Sequence, residues 1–184
     1  MIASILSKKA TAGATHVLLD IPVGKGAKYE TKREGERMRK RFEKVGKAVG
    51  LKIKVITTNG DSPIGVGIGP FLESRDVTSV LKNERLEELK HLREKAIFMA
   101  GMVLEMGGAA SRGKGERMAQ TILDMGLAHK KFEEIIDAQG RKPKMKRANY
   151  IEKITATKSG KVKVIHNKRV SKLAFALGNP KDKS

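Results

Sequence analysis

The residues best suited by type and spacing to do chemistry are Asp20-Ile-Pro-Val-Gly-Lys-Gly-Ala-Lys28, where Gly24 and Gly26 flank Lys25 and the run closes on Lys28. Glycines let the backbone come close to a ligand, and neighbouring lysines add fixed positive charge. Gly24, Lys25, Gly26 and Lys28 are therefore candidates for holding an anionic group. A second glycine-rich run goes from Asn59 through Gly60, Pro63, Gly65, Gly67 and Gly69 to Pro70. Neither run carries a nucleotide fingerprint, because the first lacks the Walker spacing and Gly65-x-Gly67-x-Gly69 departs from the dinucleotide pattern. Taken alone, each reads equally well as a tight turn.

Composition narrows the chemistry further. The chain has no cysteine, which removes disulfides, thiolate nucleophiles and Cys-based zinc sites. His16, His91, His129 and His166 show no paired metal-ligand spacing, so no metal or organic cofactor is expected. Lys and Arg number 39 against 20 Asp and Glu, a formal charge of +19 that draws in phosphorylated ligands and polyanions without naming one. Five Phe, two Tyr and no Trp are spread without a stacking cluster, so nucleic acid is the lesser expectation. No apolar run nears the roughly 18 residues of a membrane span, and the N-terminus lacks a secretory pattern. A soluble, cytoplasmic protein is expected.

The elements that must position these residues alternate in type. Ile2 to about Gly13 is expected to be helical, with Ile5, Leu6 and Lys9 at helical spacing and Gly13 as a stop. His16-Val-Leu-Leu-Asp-Ile21 is a continuous apolar run of strand length, suited to a parallel sheet covered on both faces. Thr31 and Glu34 form a capping-box signature, after which Met38, Phe42, Val45 and Val49 recur on one helical face as far as Gly50. Leu51 to Ile56 alternates as a second strand. Strand, helix, strand in succession implies a crossover and a parallel sheet, and ligands bind such sheets outside the carboxyl ends of the strands, where both glycine-rich runs fall.

Beyond Pro70, which suits the first turn of a helix, the chain reads as helical. Leu86, Leu89, Leu92, Ala96, Met99, Val103 and Met106 form one stripe ending at Gly107-Gly108, and a further helical stretch carries Met118, Ile122, Met125, Phe132, Ile135 and Ile136. The methionines are expected to be core filler. Arg141-Lys-Pro-Lys-Met-Lys-Arg147 is a basic linker, either a solvated loop or a phosphate-binding patch. Two strand-like runs, Ile151 to Ala156 and Lys161 to Ile165, precede a last helix from about Lys168 to Leu177, with Gly178 and Pro180 ending it. No internal repeat is found. The expected fold class is α/β: a partly parallel sheet with flanking helices over residues 1–140, then a basic linker and the start of a small α+β segment over 141–184.

Three ordered motifs carry a family resemblance: Ala3-Ser-Ile-Leu-Ser-Lys-Lys9, Gly13 through Lys28, and Pro63-Ile-Gly-Val-Gly-Ile-Gly-Pro-Phe-Leu-Glu-Ser-Arg-Asp76. The chain resembles the pyrimidine-nucleoside phosphorylases, and most of all the archaeal branch known as AMP phosphorylase, which is often labelled thymidine phosphorylase. Val170 to Lys183 is similar to the family segment that enters its C-terminal domain, so the resemblance runs along nearly the whole chain. It implies phosphorolysis, in which inorganic phosphate attacks the anomeric carbon and a base departs. AMP would give adenine and ribose 1,5-bisphosphate.

The resemblance also implies roles for residues. In the AMP branch a serine and a lysine 24 residues later contact the nucleotide, matching Ser4 and Lys28; in the thymidine branch the same serine and the lysine four residues on hold the pyrimidine, matching Ser4 and Lys8. Bacterial thymidine-cleaving members carry an aromatic at the position of Lys28 and a serine at that of Lys25. Two cations instead favour an AMP-like substrate over thymidine through charge-assisted hydrogen bonds. The family's phosphate-binding loop and proton donor lie upstream of Ser4, outside this chain, as does a C-terminal domain beyond Ser184. The chain alone is accordingly expected to be inactive, acting within a homo-oligomer or with a companion chain. The alternatives are a nucleotide-binding module without catalysis and a basic RNA-associated protein.

Overall fold

The computed structural model describes residues 2–142 and 150–177. Its elements run α1 (Ile2–Thr11), β1 (His16–Val23), α2 (Lys32–Ala48), β2 (Lys52–Asn59), α3 (Pro70–Leu81), α4 (Lys90–Met106), α5 (Gly115–Asp124), α6 (Leu127–Ala138) and α7 (Asn167–Ala176). The class is α/β, as expected. β1 and β2 pair in parallel with α2 as the crossover, His16 opposite Lys52 at one end and Val23 opposite Asn59 at the other.

Local chemistry explains the crossover helix. Thr31 Oγ1 accepts the Glu34 N–H at 3.2 Å while the Glu34 carboxylate accepts the Thr31 N–H at 3.1 Å, so two otherwise orphaned donors at the start of α2 are satisfied. One face of α2 then buries Met38 and Phe42 with Leu6 of α1, Val17 and Ile21 of β1, and Leu51 and Val55. Large apolar side chains buried in this way contribute about 1.5 to 3 kcal/mol each. Arg39 on the outer side bridges Glu36 and Glu43.

A second cluster joins Val80, Leu89, Ile97, Ala119 and Leu123. Here α4 and α5 meet at paired glycines: a Cβ on Gly115 would lie 2.1 Å from the Gly101 carbonyl oxygen, so neither position admits a side chain while the helices keep this approach. That crossing turns α4 so that Ile97 and Gly101 are buried, while Ala96 and Val103 of the expected stripe are exposed. Leu86 precedes the helix. The stretch from Met118 to Ile136 is two helices, because Gly126 adopts φ 71° between α5 and α6. Core filling by methionine holds for Met38; Met118 and Met125 stand 40% and 67% exposed.

The C-terminal part differs from expectation. Ile151 to Ala156 and Lys161 to Ile165 form no strand and are exposed throughout. An isolated pair of strands has no apolar face to bury and is marginal in water, and nothing among the described residues covers these two. Most of the basic linker, from Pro143 to Arg147, and the Gly178 and Pro180 stops lie outside the described residues. Thr31→Ala should lower stability by about 1 kcal/mol, the usual cost of losing such a cap, read as a lower urea midpoint at unchanged slope.

Candidate functional site

Parallel pairing sends both glycine-rich loops off the same end of β1 and β2, and a concavity of about 500 Å³ opens there. That size lies within the range of small-molecule sites. Leu19, Ile21 and Pro22 of β1, Ile5 of α1 and Phe42 of α2 supply apolar walls. Lys28 and Tyr29 come from the first loop, Asn59 and Ser62 from the second, and Asn167 from α7.

The first loop satisfies its own backbone. The N–H of Gly24 donates to the Tyr29 carbonyl and that of Ala27 to the Gly24 carbonyl, each at 3.0 Å, while the N–H of Lys25 donates to Asp61 Oδ1 at 2.9 Å. A Cβ on Gly24 would lie 2.5 Å from the Asp61 backbone nitrogen, so the glycine permits the two loops to touch. The Glu30 carboxyl is held below its ordinary range by the Lys168 ammonium and by the Gly26 N–H. Positive charge offered to a ligand therefore comes from side chains, with these backbone donors already engaged. Asn167 bridges both loops, its Nδ2 donating to the Gly60 carbonyl at 2.8 Å and the Lys25 carbonyl at 3.4 Å, and Lys168 adds an ion pair with Glu30 at 2.8 Å.

The second loop hangs on Asp76. Oδ2 of this buried carboxylate accepts the N–H groups of Val66 at 2.9 Å and Gly67 at 2.6 Å, and Oδ1 meets Arg85 Nη1 at 2.9 Å. Burial by itself would push the Asp76 carboxyl up, but the bonds from Gly67 and Val66 together with the Arg85 guanidinium outweigh it and hold it below the usual carboxylate range.

A polar triad sits in the cavity wall. Lys95 of α4 lies 2.5 Å from Asp20 Oδ2 and donates to Thr58 Oγ1 at 2.9 Å, and Thr58 Oγ1 donates to Asp20 Oδ1 at 2.8 Å. Asp20 and Lys95 both line the cavity. Among the described residues, no group of three or more His, Cys, Asp or Glu could hold a metal ion.

Of the residues singled out in the sequence, Gly26 and Lys28 line the cavity, whereas Gly24, which is buried, and Lys25, which is exposed, do not. Ser4 and Lys8 are exposed on α1 and are not among the cavity walls; around the helix they stand about 100° and 60° from Ile5, which is. Lys95 and Asn167 were not singled out in the sequence, and Asp20 and Asp76 stood inside motifs without a role of their own. Asp20 was detectable, since it interrupts the apolar run of β1 with a carboxylate.

The architecture is that of a parallel-stranded α/β domain with a ligand-sized cavity at the carboxyl ends of its strands. Its relatives carry an activity in their names. The chain is 42% identical over all 184 residues to a Legionella pneumophila (strain Corby) protein named "Putative thymidine phosphorylase", and 42% identical over 180 residues to a protein of that name from Parvibaculum lavamentivorans. A Ralstonia nicotianae protein of the same name is 41% identical over 180 residues. These matches cover 98 to 100% of this chain and 35% of each relative, so the chain spans about a third of their length. No protein-family model matches the chain. No helix among the described residues is long and apolar enough to cross a membrane.

Asp76→Asn should cost about 3 kcal/mol at neutral pH, toward the low end of what breaking a buried pair costs. Because the folded carboxyl is depressed, its contribution is complete above the unfolded value near pH 4 and is lost as pH falls through the folded one. Urea melts of both proteins should therefore converge as pH drops below about 4.

Proposed function

We propose that this chain forms the base-binding part of a nucleoside or nucleotide phosphorylase, a pentosyltransferase that uses inorganic phosphate to break an N-glycosidic bond. The observation that carries the reading is a nucleoside-sized cavity walled by Lys28 and Phe42, in a chain similar along its whole length to proteins named "Putative thymidine phosphorylase". Apolar walls suit the faces of a base, and Lys28 suits a ligand phosphate or an electron-rich base edge. AMP is the substrate that Lys28 in the cavity wall favours, with Lys25 adding positive charge nearby on the same loop. A pyrimidine nucleoside is the second reading, supported by the names of the relatives.

The chemistry needs a phosphate held in line with the anomeric carbon, and orientation with charge stabilisation supplies much of the rate in such reactions. The described loops commit many of their backbone donors internally, and the chain spans only about a third of its relatives. On this reading, catalysis belongs to the longer protein or to an assembly with a second chain. The 184-residue chain should bind nucleotide without releasing adenine from AMP in phosphate buffer.

Calorimetry with AMP, adenosine and thymidine tests the assignment. Lys28→Ala should weaken AMP about tenfold, the worth of one charge-assisted hydrogen bond, and adenosine by less. Failure of all three ligands to bind the unaltered chain would refute the reading.

A further inference from the structure

The feature left over by this reading is the triad of Asp20, Thr58 and Lys95. It places a full positive and a full negative charge in the wall of a mostly apolar cavity, where the Asp20 and Lys95 side chains remain 13% and 26% exposed. As a device for stability alone it is a poor choice, since taking two charges out of water costs nearly as much as their attraction returns, and an apolar pair of similar volume would serve as well.

Among the described residues, the hydrogen bonds also leave capacity unused. An ammonium has three donors, and Lys95 spends one on Asp20 and one on Thr58. A carboxylate has about four lone-pair sites, and Asp20 uses one on each oxygen. Among these contacts, what remains is one N–H donor beside a carboxylate acceptor, each residue anchored by Thr58 and lining the cavity. Among neutral ligands, the complement of that pair is a planar edge with a ring or amino N–H next to an acceptor. Adenine offers it through its amino group and adjoining ring nitrogen, and thymine through its ring N–H and carbonyl. Sugar hydroxyls lack that rigid side-by-side arrangement.

Resting on the reading of the cavity as a nucleoside site, we infer that Asp20 and Lys95 read the hydrogen-bonding edge of the base, Asp20 accepting from its N–H and Lys95 donating to the neighbouring acceptor. The pair is thus a specificity determinant contributed by β1 and α4. It recognises the base rather than the sugar or phosphate. Polar groups built to meet an N–H discriminate strongly against ligands lacking it, because the buried partner is then left unpaired.

The test compares each ligand with its edge-blocked analogue on the full chain: AMP against AMP dimethylated on the amino group, and thymidine against thymidine methylated on its ring N–H. For whichever parent binds, the blocked analogue should bind the unaltered chain at least tenfold more weakly. In Asp20→Asn and Lys95→Met that ratio should fall towards one, with circular dichroism confirming the fold. Equal binding of parent and analogue to the unaltered chain overturns the inference while leaving the nucleoside site standing, and requires no variant to fold. Discrimination that persists undiminished in both folded variants also overturns it. If no parent ligand binds at all, the inference and the function proposed above fall together.

Discussion

Parallel pairing of β1 with β2 is the constraint from which the site follows. With Val23 opposite Asn59, the chain leaves both strands at the same end, and two glycine-rich loops separated by some 35 residues of sequence are brought into contact. The Gly60 N–H donating to the Val23 carbonyl at 2.9 Å and the Lys25 N–H donating to Asp61 extend the strand pairing into the loops themselves. An antiparallel arrangement would have put the loops at opposite ends of the sheet. The cavity exists because they share one.

Electrostatics at that end is local rather than diffuse. The chain carries a formal charge of +19, yet its loops are organised by carboxylates: Glu30 after the first, Asp61 reaching the first from the second, Asp76 beneath the second and Asp20 in the wall. Each accepts hydrogen bonds from backbone donors or lysine ammonium groups, those of Asp76 and Asp20 in partly buried places and those of Asp61 and Glu30 at the surface. The net charge governs encounter with anionic ligands at a distance, while these four carboxylates set the shape those ligands meet.

The sequence carried the framework legibly where signals were local. The capping box at Thr31 and Glu34, the apolar run from His16, the alternation from Leu51 and Pro70 at a helix start all mark elements within two or three residues of where they lie. Two readings fell short for want of tertiary information. The stripe along α4 held at Leu89 and Leu92, which join the second cluster, but not at Ala96 and Val103, because the Gly101 and Gly115 contact, invisible to periodicity, decides which side faces α5. The strand-like runs after Tyr150 have the composition of strands but nothing among the described residues to pack on. Within the site, glycine spacing pointed to the loops and to Lys28, whereas Lys95 and Asn167 arrive from α4 and α7 and have no motif of their own.

The central claim is that a nucleoside occupies the crevice between the two loops. Titrating AMP into isotopically labelled chain and following backbone amide resonances tests it directly. Shifts confined to Leu19–Tyr29, Asn59–Ile64, Lys95 and Asn167 are the result this structure predicts. Shifts spread instead over the basic outer surface of α2, with those segments unmoved, would contradict it.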